Sequence, residues 1–296
     1  MDHEADYESH LEVKRPSLHI FTVREAYLLA AASMFMGLFV SLTFQGFLPE
    51  SDQAAILNRL AVLFGELAIL IPAVLILKQR GLKFRQVLPL RSVSPVTIIM
   101  SMVLTAGAIG LVSVFEIVVL PFFPIPDFLK QLESDLMQAS FLDNLVLIFA
   151  GVLVAPLVEE FIFRGILQQS LFYRHGSLLP AMIVPTVIFA LFHVAYLFYL
   201  PALLELIALA LMLAWLMVKT GNLLVPVLVH GLFNLSSFSG LFITDLEEIT
   251  TLKEFGVPWI ILSILLMAAG VFYFKHMPVA EFEEVYLIPS LRGEEF

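Results

Sequence analysis

Apolar residues in this chain come in long unbroken blocks rather than at the one-in-three or alternating spacing of a half-buried helix or strand. Stretches free of Asp, Glu, Lys and Arg cover residues 26–49, 92–115, 220–244 and 255–274, and the block 60–77 is interrupted once, by Glu66. Crossing about 30 Å of hydrocarbon takes about 20 residues of helix, so each of these blocks is long enough to span a bilayer. The block 176–204 is too long for one crossing, and Pro201 divides it into a helix near 178–199 and a second near 201–218 with Glu205 at its start. Residues 144–158 are clean but short, so that helix must continue through Glu159, Glu160 and Arg164 toward Phe172. The pattern predicts an all-α, polytopic integral membrane protein with eight transmembrane helices in one bundle.

Orientation follows from the basic residues between the spans. With eight crossings, one side holds Lys14, Arg15, Arg24, Lys78, Arg80, Lys83, Arg85, Arg91, Arg174, Lys219, Lys275 and Arg292, and the other holds Arg59, Lys130 and Lys253. Arg164 lies within a span. Both termini are therefore expected in the cytoplasm, with residues 1–22 and 277–296 as polar tails around a membrane domain over 23–276. The first ten residues are acidic where a secretory signal is basic, so no cleaved signal is expected.

Composition narrows the function classes further. Hydrophobic residues make up 60% of the chain against roughly 45–50% in soluble domains. There is no Cys, hence neither a disulfide framework nor a thiolate nucleophile or metal ligand. A formal net charge of −10 leaves no basic surface for nucleic acid. The expected surroundings are the lipid bilayer and membrane-associated substrates, and oligomeric state is open.

An ionisable side chain in the middle of a bilayer costs several kcal/mol, about 2.5–3.5 on the insertion scale, so each one inside a span needs a reason. Three spans carry such groups: Glu159, Glu160 and Arg164 in one, His193 with Phe189 four residues before it in another, and His230 with Asn234 four residues after it in a third. At about 1.5 Å of rise per residue, their depths allow all of them to meet in one layer. Glu160 and Arg164 are four apart and can neutralise each other on one helix face. That leaves Glu159 about 100° around the helix with no cation of its own, a candidate general base. Glu66, Glu116 and Glu205 are expected to face the bundle interior or reach an interface.

These motifs resemble the CAAX protease and bacteriocin-processing family, also called the CPBP or Abi family of intramembrane glutamic endopeptidases. The likeness lies in EExxxR at Glu159, Glu160 and Arg164, FxxxH at Phe189 and His193, and HxxxN at His230 and Asn234, in that order, over a core of about 145–238. The resemblance implies that Glu159 and His193 activate a water for attack on a peptide carbonyl. It also implies that His230 and Asn234 line the oxyanion hole, with Glu160 and Arg164 as supports. The implied substrate is a membrane-embedded or lipidated peptide or protein, the implied location a prokaryotic cell membrane. The resemblance also implies an active-site cavity inside the membrane between the motif-bearing helices; Phe189 reads first as packing, with walling of the water site as the alternative.

Other readings of the same residues stay open at this point. The glutamates and Arg164 can be a structural ion-pair cluster, His193 a hydrogen-bonded core histidine, and His230 with Asn234 interhelical polar glue. No cofactor is expected; if a metal is bound it is zinc, held by Glu159, His193 and His230, although the HExxH arrangement is missing. A silent relative acting as a binding or immunity protein is the main alternative. A proton-coupled transporter is a second, for which paired repeats are lacking. The charge bias makes a direct prediction: reporter fusions after Lys83, Arg174 and Lys219 are cytoplasmic and those after Lys130 and Lys253 external, and one reversed fusion requires a different number of crossings.

Overall fold

The computed structural model describes residues 21–47, 54–131, 140–175, 178–238 and 251–280. The two expected polar tails lie almost wholly outside these residues. Among the described residues the structure is helical, with a single isolated bridge between Leu90 and Asn222. Six helical stretches are long and apolar enough to cross a membrane: Val23–Gly46, Ile56–Gln79, Pro95–Val119, Phe141–Phe172, Leu200–Thr220 and Val257–His276. Two shorter apolar helices, Leu178–Phe192 and Leu224–Ser237, stand where the fifth and seventh crossings are expected. The protein is an all-α polytopic membrane protein.

The elements that position the site are few. α1 (Val23–Gly46) starts at a capping box, with the Thr22 hydroxyl accepting from Glu25 N–H and the Glu25 carboxylate accepting from Thr22 N–H. α2 (Ala54–Ala68) and α3 (Leu70–Gln79) form one span interrupted at Ile69. Pro72 explains the break, because it has no N–H to give Ala68, four residues earlier. After the short α4 (Phe84–Val87), α5 (Pro95–Val119) packs along α13 (Val257–His276). They approach closely because Gly107, Gly110 and Gly270 lie in the interface; a Cβ on Gly270 would stand 2.6 Å from Leu104 Cβ.

The stretch Phe141–Phe172 is the centre of the bundle: 56% of its most apolar window is buried, against 17% for Val257–His276. It is not one regular helix. α6 (Phe141–Ile148) gives way to a π-helical turn over Phe149–Val154, then to α7 (Ala155–Glu160), a second π-helical stretch over Phe161–Gln168, and α8 (Gln169–His175). Around it stand α9 (Leu178–Phe192), α10 (Leu200–Thr220) and α11 (Leu224–Ser237). Gly221, with φ of 59°, ends α10 in the left-handed region that glycine adopts without strain, and Asn222 Oδ1 then accepts from Leu224 N–H at 2.8 Å. The short α12 (Leu252–Phe255) precedes α13.

One boundary differs from the sequence expectation. The helix predicted to run to Tyr199 stops at Phe192, and His193 takes φ −89° and ψ 61° before a 3₁₀ turn over Val194–Phe198. The reason is local competition: the His193 imidazole Nδ1 bonds Phe189 O at 2.9 Å, the acceptor an α-helical His193 N–H would use, and that N–H goes instead to Ala190 O at 3.1 Å. The end expected for the seventh crossing, Thr244, lies outside the described residues.

α11 lies directly against the first π-helical turn at Gly231, where a Cβ would stand 2.6 Å from the Val152 carbonyl oxygen. Replacing a helical Gly by Ala gains roughly 1 kcal/mol of helix propensity, but overpacking against backbone costs about 1–3 kcal/mol. Gly231→Ala therefore lowers the thermal midpoint of the detergent-solubilised protein; an unchanged or raised midpoint contradicts the close approach.

Candidate active site

Glu159 and Glu160 end α7, between the two π-helical stretches. Both are buried, Glu159 at 6% and Glu160 at 0% exposure, yet their surroundings differ. Glu160 Oε1 accepts from Arg164 Nη1 at 2.9 Å, the expected pair one turn apart, and from His230 Nδ1 at 3.0 Å. Arg164 is itself fully buried, donates from Nη2 to Ala210 O at 3.0 Å, and lies with its Cζ 5.0 Å from the centre of the Phe189 ring. One carboxylate, one guanidinium and one imidazole thus join α7, the second π-helical stretch, α10 and α11. Glu159 accepts no hydrogen bond from the described residues; its Oε2 stands 3.8 Å from His230 Nε2, beyond direct hydrogen-bonding reach.

The tautomers follow from these partners. A carboxylate accepts only, so His230 carries its proton on Nδ1 toward Glu160, and a neutral ring presents Nε2 as an acceptor toward Glu159. By the same reasoning His193 donates from Nδ1 to Phe189 O and leaves Nε2 with a free lone pair. Phe189 is the hub of the aromatic contacts: its ring centre is 4.4 Å from that of His193, 6.0 Å from His230 and 5.1 Å from Phe163. On its other side His193 stacks with Tyr196, at 6.1 Å and 10° between planes.

Asn234 has a different employment from the one its spacing suggests. Its Nδ2 donates to Gly151 O at 2.7 Å, so it does not converge with His230 on one acceptor. The first π-helical turn explains why. Gly151 O would pair with Ala155 N–H in an α-helix or with residue 156 in a π-helix, but Ala155 N–H bonds Ala150 O and residue 156 is proline. A carbonyl stranded at membrane depth needs a donor, and Asn234 supplies it. One Nδ2 hydrogen remains for another acceptor.

Sequence reasoning missed several participants. Gln168, one turn after Arg164, donates to Ala214 O at 2.8 Å, parallel to the bond from Arg164 to Ala210 O. The i,i+4 spacing of two polar residues facing two alanines was the available signal. Glu66 of α2 has a buried Oε2 without a partner and lies near enough to Glu159 for their charges to interact. Its signal was the single interruption of an otherwise apolar block. Among the described residues no group of three or more His, Cys, Asp or Glu is gathered for a metal ion.

Comparison with known proteins places this geometry. Residues 141–236 match the family model described as Rce1-like, type II CAAX prenyl endopeptidase Rce1-like. The matched segment, about a third of the chain, is similar to that family's. It runs from the first turn of α6 to the end of α11 and contains all seven residues of the three motifs. Neither the curated proteins nor the solved structures contain a match to the chain. Within the matched segment, Glu160 Oε1, Arg164, His230 Nδ1 and Asn234 are hydrogen-bonded into the scaffold, while Glu159, His230 Nε2 and His193 Nε2 accept no hydrogen bond from the described residues.

This division predicts that Asn234→Ala loses stability as well as any catalytic contribution. An unpaired buried carbonyl costs about 1–3 kcal/mol, and thermal unfolding measured in a Glu159→Gln background reads that cost apart from activity. Unchanged stability contradicts the role of Asn234 as the partner of Gly151.

Proposed function

We propose that the protein is an intramembrane endopeptidase of the glutamic type. It cleaves a peptide bond in a membrane-embedded or lipidated substrate, with its termini in the cytoplasm. The observation that carries the reading is the contrast between the two adjacent glutamates: Glu160 is tied through Oε1 to Arg164 and His230, whereas Glu159 is buried and accepts no hydrogen bond from the described residues. A carboxylate held in that state is placed to take a proton from water.

In this reading the water sits against Glu159 Oε2. Two atoms 3.8 Å apart share an apex at hydrogen-bonding distance from each, so the same water also reaches His230 Nε2. His193 offers its free Nε2 to the hydrolytic centre from the adjacent helix end. Attack of the water oxygen on the carbonyl carbon transfers one proton to Glu159, and that proton goes to the departing amine as the carbon–nitrogen bond breaks. The negative charge that develops on the carbonyl oxygen is met by the second Nδ2 hydrogen of Asn234, a donor type worth roughly 10²–10³ in rate in well-studied hydrolases. A neutral His230, with its Nδ1–H committed to Glu160, orients the water rather than donating to the oxyanion.

Glu159→Gln tests this directly. The substitution keeps the volume and removes the basic lone pair and charge, and because no hydrogen bond is lost, folded yield and thermal midpoint stay close to those of the parent. Cleavage of a library of prenylated and unmodified membrane peptides, measured with purified protein in nanodiscs, falls about 10²-fold or more. Retention of more than about a tenth of the rate rejects Glu159 as the base.

A further inference from the structure

Away from the glutamate cluster four helices line a partly open space. A cavity of about 360 Å³ lies between α5, α10, α11 and α13. Its walls include Ala108 and Phe115 of α5, Met212 of α10, Phe233 of α11 and Met267 of α13, and its lining carries one ionisable side chain, Glu205 of α10. Glu205 forms no hydrogen bond or ion pair with the described residues. Among the described residues, the ionisable groups near enough to interact with its charge are Glu116 of α5, Tyr196 of the 3₁₀ turn and Tyr199 beside α10, and none of them carries positive charge.

The cavity is polarised along its length. Glu205 lies five residues, about 7.5 Å, from the start of α10, and Glu116 three residues, about 4.5 Å, from the end of α5. The two carboxylates therefore mark the same end of an antiparallel helix pair. From that level the apolar lining continues for seven residues on each helix, from Phe115 to Ala108 and from Glu205 to Met212, which is about 10 Å. Acceptors without a cation stand at the mouth, and an apolar shaft runs inward from them.

We propose that this cavity binds a cationic amphiphile: a single aliphatic chain bearing an ammonium head, with the head at Glu205 and Glu116 and the chain along α5 and α10. The ammonium supplies the positive charge that the surrounding residues do not. A neutral lipid chain would bury Glu205 against hydrocarbon with no partner, which costs free energy that the cation removes. A helical peptide, about 10 Å across with its side chains, is too wide for a volume at the small end of ligand pockets, whereas one alkyl chain fits.

The test uses dodecyltrimethylammonium carrying a photoactivatable diazirine near the chain end, with the matching dodecanol probe as the uncharged control, on the full chain in phosphatidylcholine nanodiscs. Mapped cross-links are expected within residues 108–115 and 205–212, about tenfold stronger for the ammonium than for the alcohol, and reduced to the alcohol level by Glu205→Gln. Equal labelling by both probes, or undiminished ammonium labelling of Glu205→Gln, shows a cavity that takes any alkyl chain and overturns the proposal. Labelling of neither helix also overturns it. Should Glu205→Gln fail to fold, the comparison of head groups on the unaltered chain still decides. The readout is cross-linking, so a failure of the hydrolytic reading leaves this test untouched.

Discussion

The carboxylate of Glu160 is the fixed point of the bundle. A charge at this depth is tolerable only with its cation and hydrogen bonds in place, and it draws them from two elements far apart in sequence: Arg164 one turn away, and His230 from α11. Arg164 extends the same network to the Ala210 carbonyl of α10 and the Phe189 ring of α9. Lipid tails offer no hydrophobic reason for helices to associate, so such polar contacts and close packing must select which helices are neighbours. The order of α7, α9, α10 and α11 around the site is written in the partners of one ion pair.

The same economy governs the irregular part of the central helix. Pro156 withholds a backbone donor, the helix widens into π turns, and the stranded Gly151 carbonyl is met from α11 by Asn234. Gly231, one turn before, has no side chain to keep α11 from coming that close. A departure from regular helix thus recruits a neighbouring helix at the turn that leads into Glu159 and Glu160. Widened turns of this kind recur at functional sites.

Much of this was legible in the sequence. Apolar blocks gave the helices because bilayer thickness sets their length, and the i,i+4 spacing gave the Glu160–Arg164 pair because helix geometry sets which side chains meet. What could not be read was the choice among acceptors. Spacing placed His230 and Asn234 on one face, but only the three-dimensional arrangement sends one to Glu160 and the other to Gly151. The early end of α9 was hidden for a similar reason: an apolar run looks the same whether or not a histidine captures a carbonyl of its own last turn. Glu66 looked like an isolated interruption, since its nearness to Glu159 joins residues 93 positions apart that no local rule connects.

The shortness of α9 and α11 also bears on the membrane itself. Fifteen residues over Leu178–Phe192 and fourteen over Leu224–Ser237 make helices about 22 and 21 Å long, against about 30 Å of hydrocarbon. α9 turns a stripe of Leu179, Ile183, Val187 and Leu191 outward, so part of that deficit faces lipid rather than protein. Such a mismatch is relieved by thinning the bilayer, at fractions of a kcal/mol per ångström. Thinning of that kind beside α9 would bring the exposed 3₁₀ turn after His193, whose backbone would be out of place in full-depth hydrocarbon, toward the aqueous phase. Water from the aqueous phase would then have a shortened route to His193 Nε2, which makes no hydrogen bond with the described residues.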